Sequence, residues 1–269
     1  VGSRKTIREK VMDINRRKFL KIAGASTAIG LLGGWKAVEL LAPGEVEAEY
    51  LKNPKALTAK RWSMLVDMKK MDQETANKCI EACHLIHNVP DIGNPKQEVK
   101  WIWLEPFENA FPGQHQEHTA EELTGKSFVV MCNHCDNPPC VRVCPTQATW
   151  KREDGIVMMD QHRCIGCRFC MAACPFGSRS FNWMDPRAFI KNRSPEYPTR
   201  EKGVVEKCNF CAERLAKGQM PACVEASNGA MIFGDMDNPG SEPRKALRAR
   251  YALTRKTHLG TNPQVYYLV

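Results

Sequence analysis

Apolar positions fall into short, well-separated runs along the chain. RWSMLVDM (61–68) alternates roughly and predicts a strand, and a helical stretch follows at about 72–85. VKWIWL (99–104) and SFVVM (127–131) predict two more strands. Between them FPGQHQEHTAEE (111–122) is polar and His-rich, and predicts a loop turning into a helix start. Asp154-Gly155 is a hairpin turn signal ahead of the strand IVMM (156–159). Residues 183–203 are polar with three prolines and predict a linker or surface loop. ERLAKG gives a short helix stopped by Gly218, and QVYYLV (264–269) a last strand. The expected class is α+β with irregular loops.

The N-terminal pattern is different. Arg16-Arg17, then Phe19-Leu20-Lys21, precede an apolar stretch from Ile22 to Trp35 that is rich in Gly, Ala and Ser. Its 14 residues fall short of the ~20 a spanning helix needs and suit a signal h-region. NRRKFLK resembles a twin-arginine export signal, with Asn15 where Ser or Thr is usual. Residues 1–48 are therefore read as a twin-arginine signal or a retained signal anchor. A chance basic patch before a buried helix is the plain alternative. That route carries folded proteins, so a cofactor can be installed before export. The location implied is the periplasmic or extracytoplasmic face, associated with the membrane.

The 269 residues suffice for one or two modest domains, and the net charge is +9. The first 48 residues hold 9 Lys/Arg and 5 Asp/Glu, which assigns +4 to the export segment. The rest shows no basic block and no aromatic-interleaved patch for nucleic acid. Cysteine changes the picture. There are 13, none before Cys79. An odd number at tight local spacing, in a chain this long, argues against a disulfide scaffold and for metal.

The cysteines form four groups. Cys79 and Cys83 are C-x3-C. Cys132, Cys135, Cys140 and Cys144 are C-x2-C-x4-C-x3-C-P. Cys164, Cys167, Cys170 and Cys174 are C-x2-C-x2-C-x3-C-P, and Cys208, Cys211 and Cys223 are C-x2-C-x11-C. The third group is the bacterial ferredoxin run, in which three cysteines wrap one [4Fe-4S] cluster and the fourth ligates its neighbour. Exchange between groups two and three gives cluster A on Cys164, Cys167, Cys170 and Cys144. It gives cluster B on Cys132, Cys135, Cys140 and Cys174. Zinc also takes C-x2-C pairs but has no use for C-x3-C-P.

The same exchange between groups one and four gives cluster C on Cys208, Cys211, Cys223 and Cys83. The reciprocal site fails. Counting back from Cys83 by the ferredoxin ruler reaches Cys79, Ala76 and Gln73, and the last position of group four is Ser227. Three of its four ligands are missing. Gln73, Ala76, Cys79 and Ser227 thus mark a lost fourth site. Three [4Fe-4S] clusters, with iron held through these cysteines, use 12 of the 13 thiols and leave Cys79 a buried free thiol.

His84, His87 and His134 are expected to hydrogen-bond locally, and His115 with His118 to bind no separate metal. Arg142, Arg163 and Arg168 lie near clusters in sequence and either raise potentials or face solvent. No Ser/His/Asp set, P-loop or G-x-G-x-x-G occurs, and no cluster leaves an iron open. A non-catalytic electron carrier without a small-molecule substrate of its own is expected.

These groups resemble the exported electron-transfer subunits of membrane oxidoreductases. That family includes the beta subunits of polysulfide, tetrathionate and dimethylsulfoxide reductases and the hydrogenase subunit HybA. The twin-arginine start, CIEACHLIHNVP, EPFENAFPGQ and CNHCDNPPCVRVCPTQAT most resemble the DsrO-type iron–sulfur subunits of the DsrMKJOP, or heterodisulfide-reductase-like menaquinol-oxidising, complexes. The resemblance implies two ferredoxin-like bis-cluster modules, one inserted in the other. The outer module takes 49–125 and 190–269 with one cluster, and the inner takes 126–189 with two. It implies an NrfD-type quinone-reactive membrane partner, a multihaem cytochrome c and further subunits, in a complex linked to sulfate or sulfite respiration. The beta subunit of a molybdopterin oxidoreductase stays open as an alternative, and so does a zinc-bound interaction module. In the molybdenum enzymes the cluster absent here faces the catalytic subunit, so a cytochrome is the expected neighbour there.

Overall fold

A computed structural model describes residues 53–269 except 115, 117, 119, 120 and 122. Residues 1–48, expected to be an export signal or anchor, and His115 lie outside the described residues. Strand β1 (Trp62–Asp67) is buried along its whole length, which is why WSMLVD lacks a clean polar alternation. It lies inside a four-stranded sheet between β8 (Met231–Asp235), antiparallel, and β10 (Val265–Leu268), parallel. β9 (Ala252–Leu253) closes the far edge, giving the order β8-β1-β10-β9. Met64 stands opposite Phe233 on one side and Val265 on the other, and Trp62 stacks on Phe233 at 4.8 Å. The C-terminal strand is therefore an inner strand of the sheet. Helix α7 (Glu242–Ala249), capped by Ser241, packs on β8.

Helix α1 (Gln73–Ile86) begins where Asp72 accepts the Thr75 N–H at 2.7 Å. Ala76, Cys79 and Cys83 share its buried face at helical spacing. That face packs on the short helix α6 (Ala222–Ala226).

β2 (Ile102–Pro106) pairs antiparallel with β3 (Ser127–Met131). β3 matches the sequence reading, but β2 starts three residues later than expected. The Lys100 N–H goes to Ser180 Oγ at 2.8 Å rather than to a ladder, and the Trp101 indole N–H holds that side chain on Glu206 at 2.9 Å. The helical turn expected within 111–122 lies earlier, as α2 (Phe107–Ala110), and none occurs among the described residues of 111–122. The Phe107 N–H bonds back to Lys126 O and turns the chain directly after Pro106.

In the cysteine-rich middle, α3 (Pro139–Arg142) packs on α4 (Phe169–Ala173), with the hairpin β4 (Thr149–Lys151) and β5 (Val157–Met159) between them in sequence. Gly155 makes the hairpin turn at φ +85°. β6 (Ser180–Phe181) pairs with β7 (Val205–Glu206), and the stretch 183–203, with one 3-10 helix at Pro186–Phe189, lies between these strands. α5 (Ala212–Leu215) follows and ends before Gly218 at φ +82°. The β2–β3 and β6–β7 ladders tie 126–189 to the chain on both sides. The largest apolar core joins the four-stranded sheet, α1 and β2–β3. A smaller one gathers Cys140, Ala148, Val157, Met159, Cys170 and Val205. The result is a mixed α+β fold.

Candidate metal centres

The described residues hold all 13 cysteines, and none is in a disulfide. They converge in sets. Cys83, on α1, faces Cys208, Cys211 and Cys223; burial, then repulsion from these three sulfurs, pushes its thiol pKa well up. Cys208 ends the run after β7, Cys211 opens α5 and Cys223 lies in α6. Burial also pushes the Cys208 thiol up to about 12 and the Cys211 and Cys223 thiols up.

The second set is Cys132, Cys135, Cys140 and Cys174, which together line one small pocket with Arg179, Pro138 and Phe176. Burial, reinforced by the other three sulfurs, pushes Cys135 up to about 12. The third set lies nearer the surface. Cys170 feels Cys164, and Cys144 and Cys164 pack on the same small core. Cys144 is only partly buried; despite that burial, backbone N–H groups of Thr149, Thr146 and Ala148 and the Thr146 hydroxyl hold its pKa below the usual thiol value. Cys167 is half-buried on the 164–170 loop, one residue past Gly166.

Left-handed residues shape these loops: His134 at φ 40°, Gly166 at 69°, Arg168 at 63°, Phe210 at 54° and Cys211 at 51°. Such residues bend a C-x2-C turn so that successive N–H groups face an anionic centre. Gly166 is also packed too closely for a side chain, since an added Cβ would stand 2.3 Å from Gly203 O.

The sets follow one another. Cys208 of the first feels Cys132 of the second, and Cys170 of the third feels Cys140 of the second. The donor chemistry fits iron–sulfur clusters. Four clustered thiols would give up their protons to solvent only where a strongly cationic core offsets the repulsion among the resulting thiolates, and thiolate sulfur is what [4Fe-4S] iron takes.

The lost-site residues make ordinary protein contacts. Gln73 is exposed and bonds Asn77, and Ala76 is packed in the core. The Cys79 thiol donates to Cys223 O at 3.3 Å, and burial pushes its pKa up to about 11. The Ser227 hydroxyl donates to Val224 O at 2.7 Å and accepts the Met231 N–H at 3.0 Å, which ties the end of α6 to β8.

His87 and His134 bond locally, whereas the buried His84 Nε2 has no hydrogen-bond partner among the described residues. His87 Nδ1 lies 2.9 Å from Cys83 O, its Nε2 pairs with Glu213 at 2.7 Å, and its ring stacks on Trp101. His87, Glu213 and Cys211 bring one ligand atom each within 4.8 Å of one another, so the pair stands at the edge of the first thiol set. His134 accepts the Val157 N–H on Nδ1 at 3.0 Å and stacks on Phe210 at 3.7 Å. Burial, then Lys207 and Arg179 nearby, pull its pKa well below the usual range.

Arg142, Arg163 and Arg168 are exposed, the second of the two alternatives the sequence left open. Arg142 reaches Asn137, Arg163 pairs with Asp160 at the surface, and Arg168 lies over the Trp183 ring at 4.8 Å. The buried cations among the sulfurs are Arg179 and Lys207. No hydrophobic pattern marks them; the one cue is adjacency, with Lys207 just before Cys208 and Arg179 five residues after Cys174.

Convergent buried thiols on tight loops between short helices define a ferredoxin-like iron–sulfur protein. Residues 124–189 match the family described as "4Fe-4S dicluster domain". The chain is 37% identical to the Hdr-like menaquinol oxidoreductase iron-sulfur subunit 1 of Archaeoglobus fulgidus, over 94% of this chain and 97% of that protein. It is 37% identical to the menaquinone reductase iron-sulfur cluster-binding subunit of Nitratidesulfovibrio vulgaris, over 77% and 88%. It is 35% identical to the NrfC homolog of Haemophilus influenzae, over 88% and 92%. The chain belongs to this family: the non-catalytic iron–sulfur electron-transfer subunits of membrane-associated oxidoreductase complexes. Among the described residues no helix is long and apolar enough to cross a membrane.

Proposed function

We propose that the chain carries three [4Fe-4S] clusters in a row and conducts electrons between a quinone-reactive, NrfD-type membrane subunit and periplasmic redox partners. Cluster A takes Cys164, Cys167, Cys170 and Cys144. Cluster B takes Cys132, Cys135, Cys140 and Cys174. Cluster C takes Cys208, Cys211, Cys223 and Cys83. Bound clusters supply one-electron carriers, and the chain's own residues set their spacing, solvent access and surroundings. The inner module, 126–189, holds A and B; the outer, 49–125 with 190–269, holds C. The twin-arginine segment delivers the folded, loaded protein to the outer face of the membrane.

The observation that carries this reading is Cys83 among Cys208, Cys211 and Cys223, joining thiols more than 120 residues apart in sequence. The sulfur neighbours support the order C–B–A. Beside set A, Ile165 is 67% exposed, Phe169 60% and Trp183 42%, an apolar rim suited to the membrane subunit. The relatives named for menaquinol and menaquinone chemistry support a menaquinone-linked complex. A multihaem cytochrome c is the proposed neighbour beside cluster C, in a sulfate- or sulfite-respiring complex. A molybdopterin partner entering by a fourth cluster is disfavoured, because Cys79 and Ser227 are engaged with backbone.

Cys83→Ser tests the assignment. It removes about four irons per chain and one EPR signal while two remain. Unchanged iron in a folded variant refutes the place of Cys83.

A further inference from the structure

Two buried cations stand among the sulfurs without a carboxylate. Among the described residues, no ion pair includes Arg179 or Lys207, which are 4% and 2% exposed. An unpaired buried charge is strongly disfavoured, so such a group persists only opposite compensating negative charge.

What faces each cation is specific. Arg179 Nη2 donates to Cys140 Sγ at 3.1 Å and to Thr149 Oγ1 at 2.8 Å, while Nη1 lies 3.6 Å from Met159 Sδ. It also hydrogen-bonds the Cys170 thiol. Cys140 belongs to set B and Cys170 to set A. Lys207 Nζ donates to Cys208 O at 2.7 Å and to Val157 O, and it feels both Cys132 and Cys208. Those sulfurs belong to sets B and C. Each cation thus stands between two neighbouring sets. The middle set meets both cations, and each end set meets one.

We propose that Arg179 and Lys207 are positioning counter-charges that order the reduction potentials along the row and make the middle centre, on Cys132, Cys135, Cys140 and Cys174, the easiest to reduce. Adding an electron adds negative charge, and a fixed cation nearby favours that state. The effect is large in a dry interior and little screened by salt. The exposed Arg142 and Arg163 act through solvent and contribute little. With clusters bound, Arg179 and Lys207 would favour holding an electron on the middle centre.

This inference rests on the proposed cluster assignment, which iron content of the unmutated chain tests separately. The experiment is a potentiometric EPR titration of the cluster-loaded protein, with iron measured on every variant. Arg179→Gln is expected to lower the reduction equilibrium of centres A and B at least tenfold, which is 59 mV for a one-electron couple, and to leave C in place. Lys207→Gln is expected to lower B and C by as much and to leave A. Arg179→Lys and Lys207→Arg keep the charge and the wild-type order. Full iron with unmoved potentials in the Gln variants overturns the proposal, as does an equal shift of all three centres. If the Gln variants lose iron, wild-type iron and order in the charge-keeping variants support the proposal. Iron loss in those too would make both residues structural and overturn it.

Discussion

Glu206 is fully buried and is the acceptor on which three donors meet. Arg200 Nη2 reaches it at 2.5 Å, Trp101 Nε1 at 2.9 Å and Asn182 Nδ2 at 2.5 Å. Arg200 also donates to the carbonyls of His87, Asn88 and Pro198, so the cluster binds the end of α1, the strand entry before β2, the 183–203 loop and β7 together. Glu206→Ala leaves a buried guanidinium without its anion and two further donors unpaired. Breaking a buried pair from one side costs about 3–5 kcal/mol. The orphaned indole and amide share contacts with Arg200, so their penalties of about 1–3 kcal/mol each do not simply add. For a domain of this size about 3–5 kcal/mol corresponds to a drop of roughly 6–20 °C in the melting midpoint. The assay is far-UV circular dichroism on heating, run beside the visible absorbance of the clusters. Glu206→Gln, which keeps the shape and one acceptor, is expected to fall between the two proteins. A Glu206→Ala midpoint within about 2 °C of the parent would refute the claim that this cluster anchors the loop.

Gly166→Ala drives a Cβ against Gly203 O and Phe181 at a φ of +69°, so it should strain the loop by about 1–3 kcal/mol and selectively deplete the centre on Cys164, Cys167, Cys170 and Cys144. EPR of the reduced variant and its iron content check this. Cys79→Ala should cost about 1 kcal/mol in denaturant and keep every iron; losing about four irons would make Cys79 a ligand. Ser227→Ala strands the buried Met231 N–H and should cost about 1–3 kcal/mol with iron unchanged, measured by the same denaturation.

The site was more legible in the sequence than the fold. Cysteine spacing is a local code, because a C-x2-C-x2-C turn dictates its own geometry, and the exchange rule proposed Cys83 beside Cys208, Cys211 and Cys223, whose sulfurs lie near one another. β1, α1, β3 and β5 were visible because each is a continuous apolar or helical run with a cap or turn beside it. β6 and β7 were not, being two-residue strands held by side chains such as Glu206 and Asn182 rather than by pattern. β8 and α7 went unassigned, and the inner position of β10 depends on long-range pairing that a terminal VYYL does not announce. Arg179 and Lys207 look like surface residues in sequence. Their burial follows only from where the thiols meet.

Iron and acid-labile sulfide per chain, measured on anaerobically purified protein with EPR after reduction, test the central claim most directly. About 12 of each, with three interacting signals, is the predicted result. About 16 would mean that other ligands or a partner complete a fourth cluster at Cys79 and Ser227. About 8 would mean that Cys83 does not close a centre with group four, and either value would contradict the account.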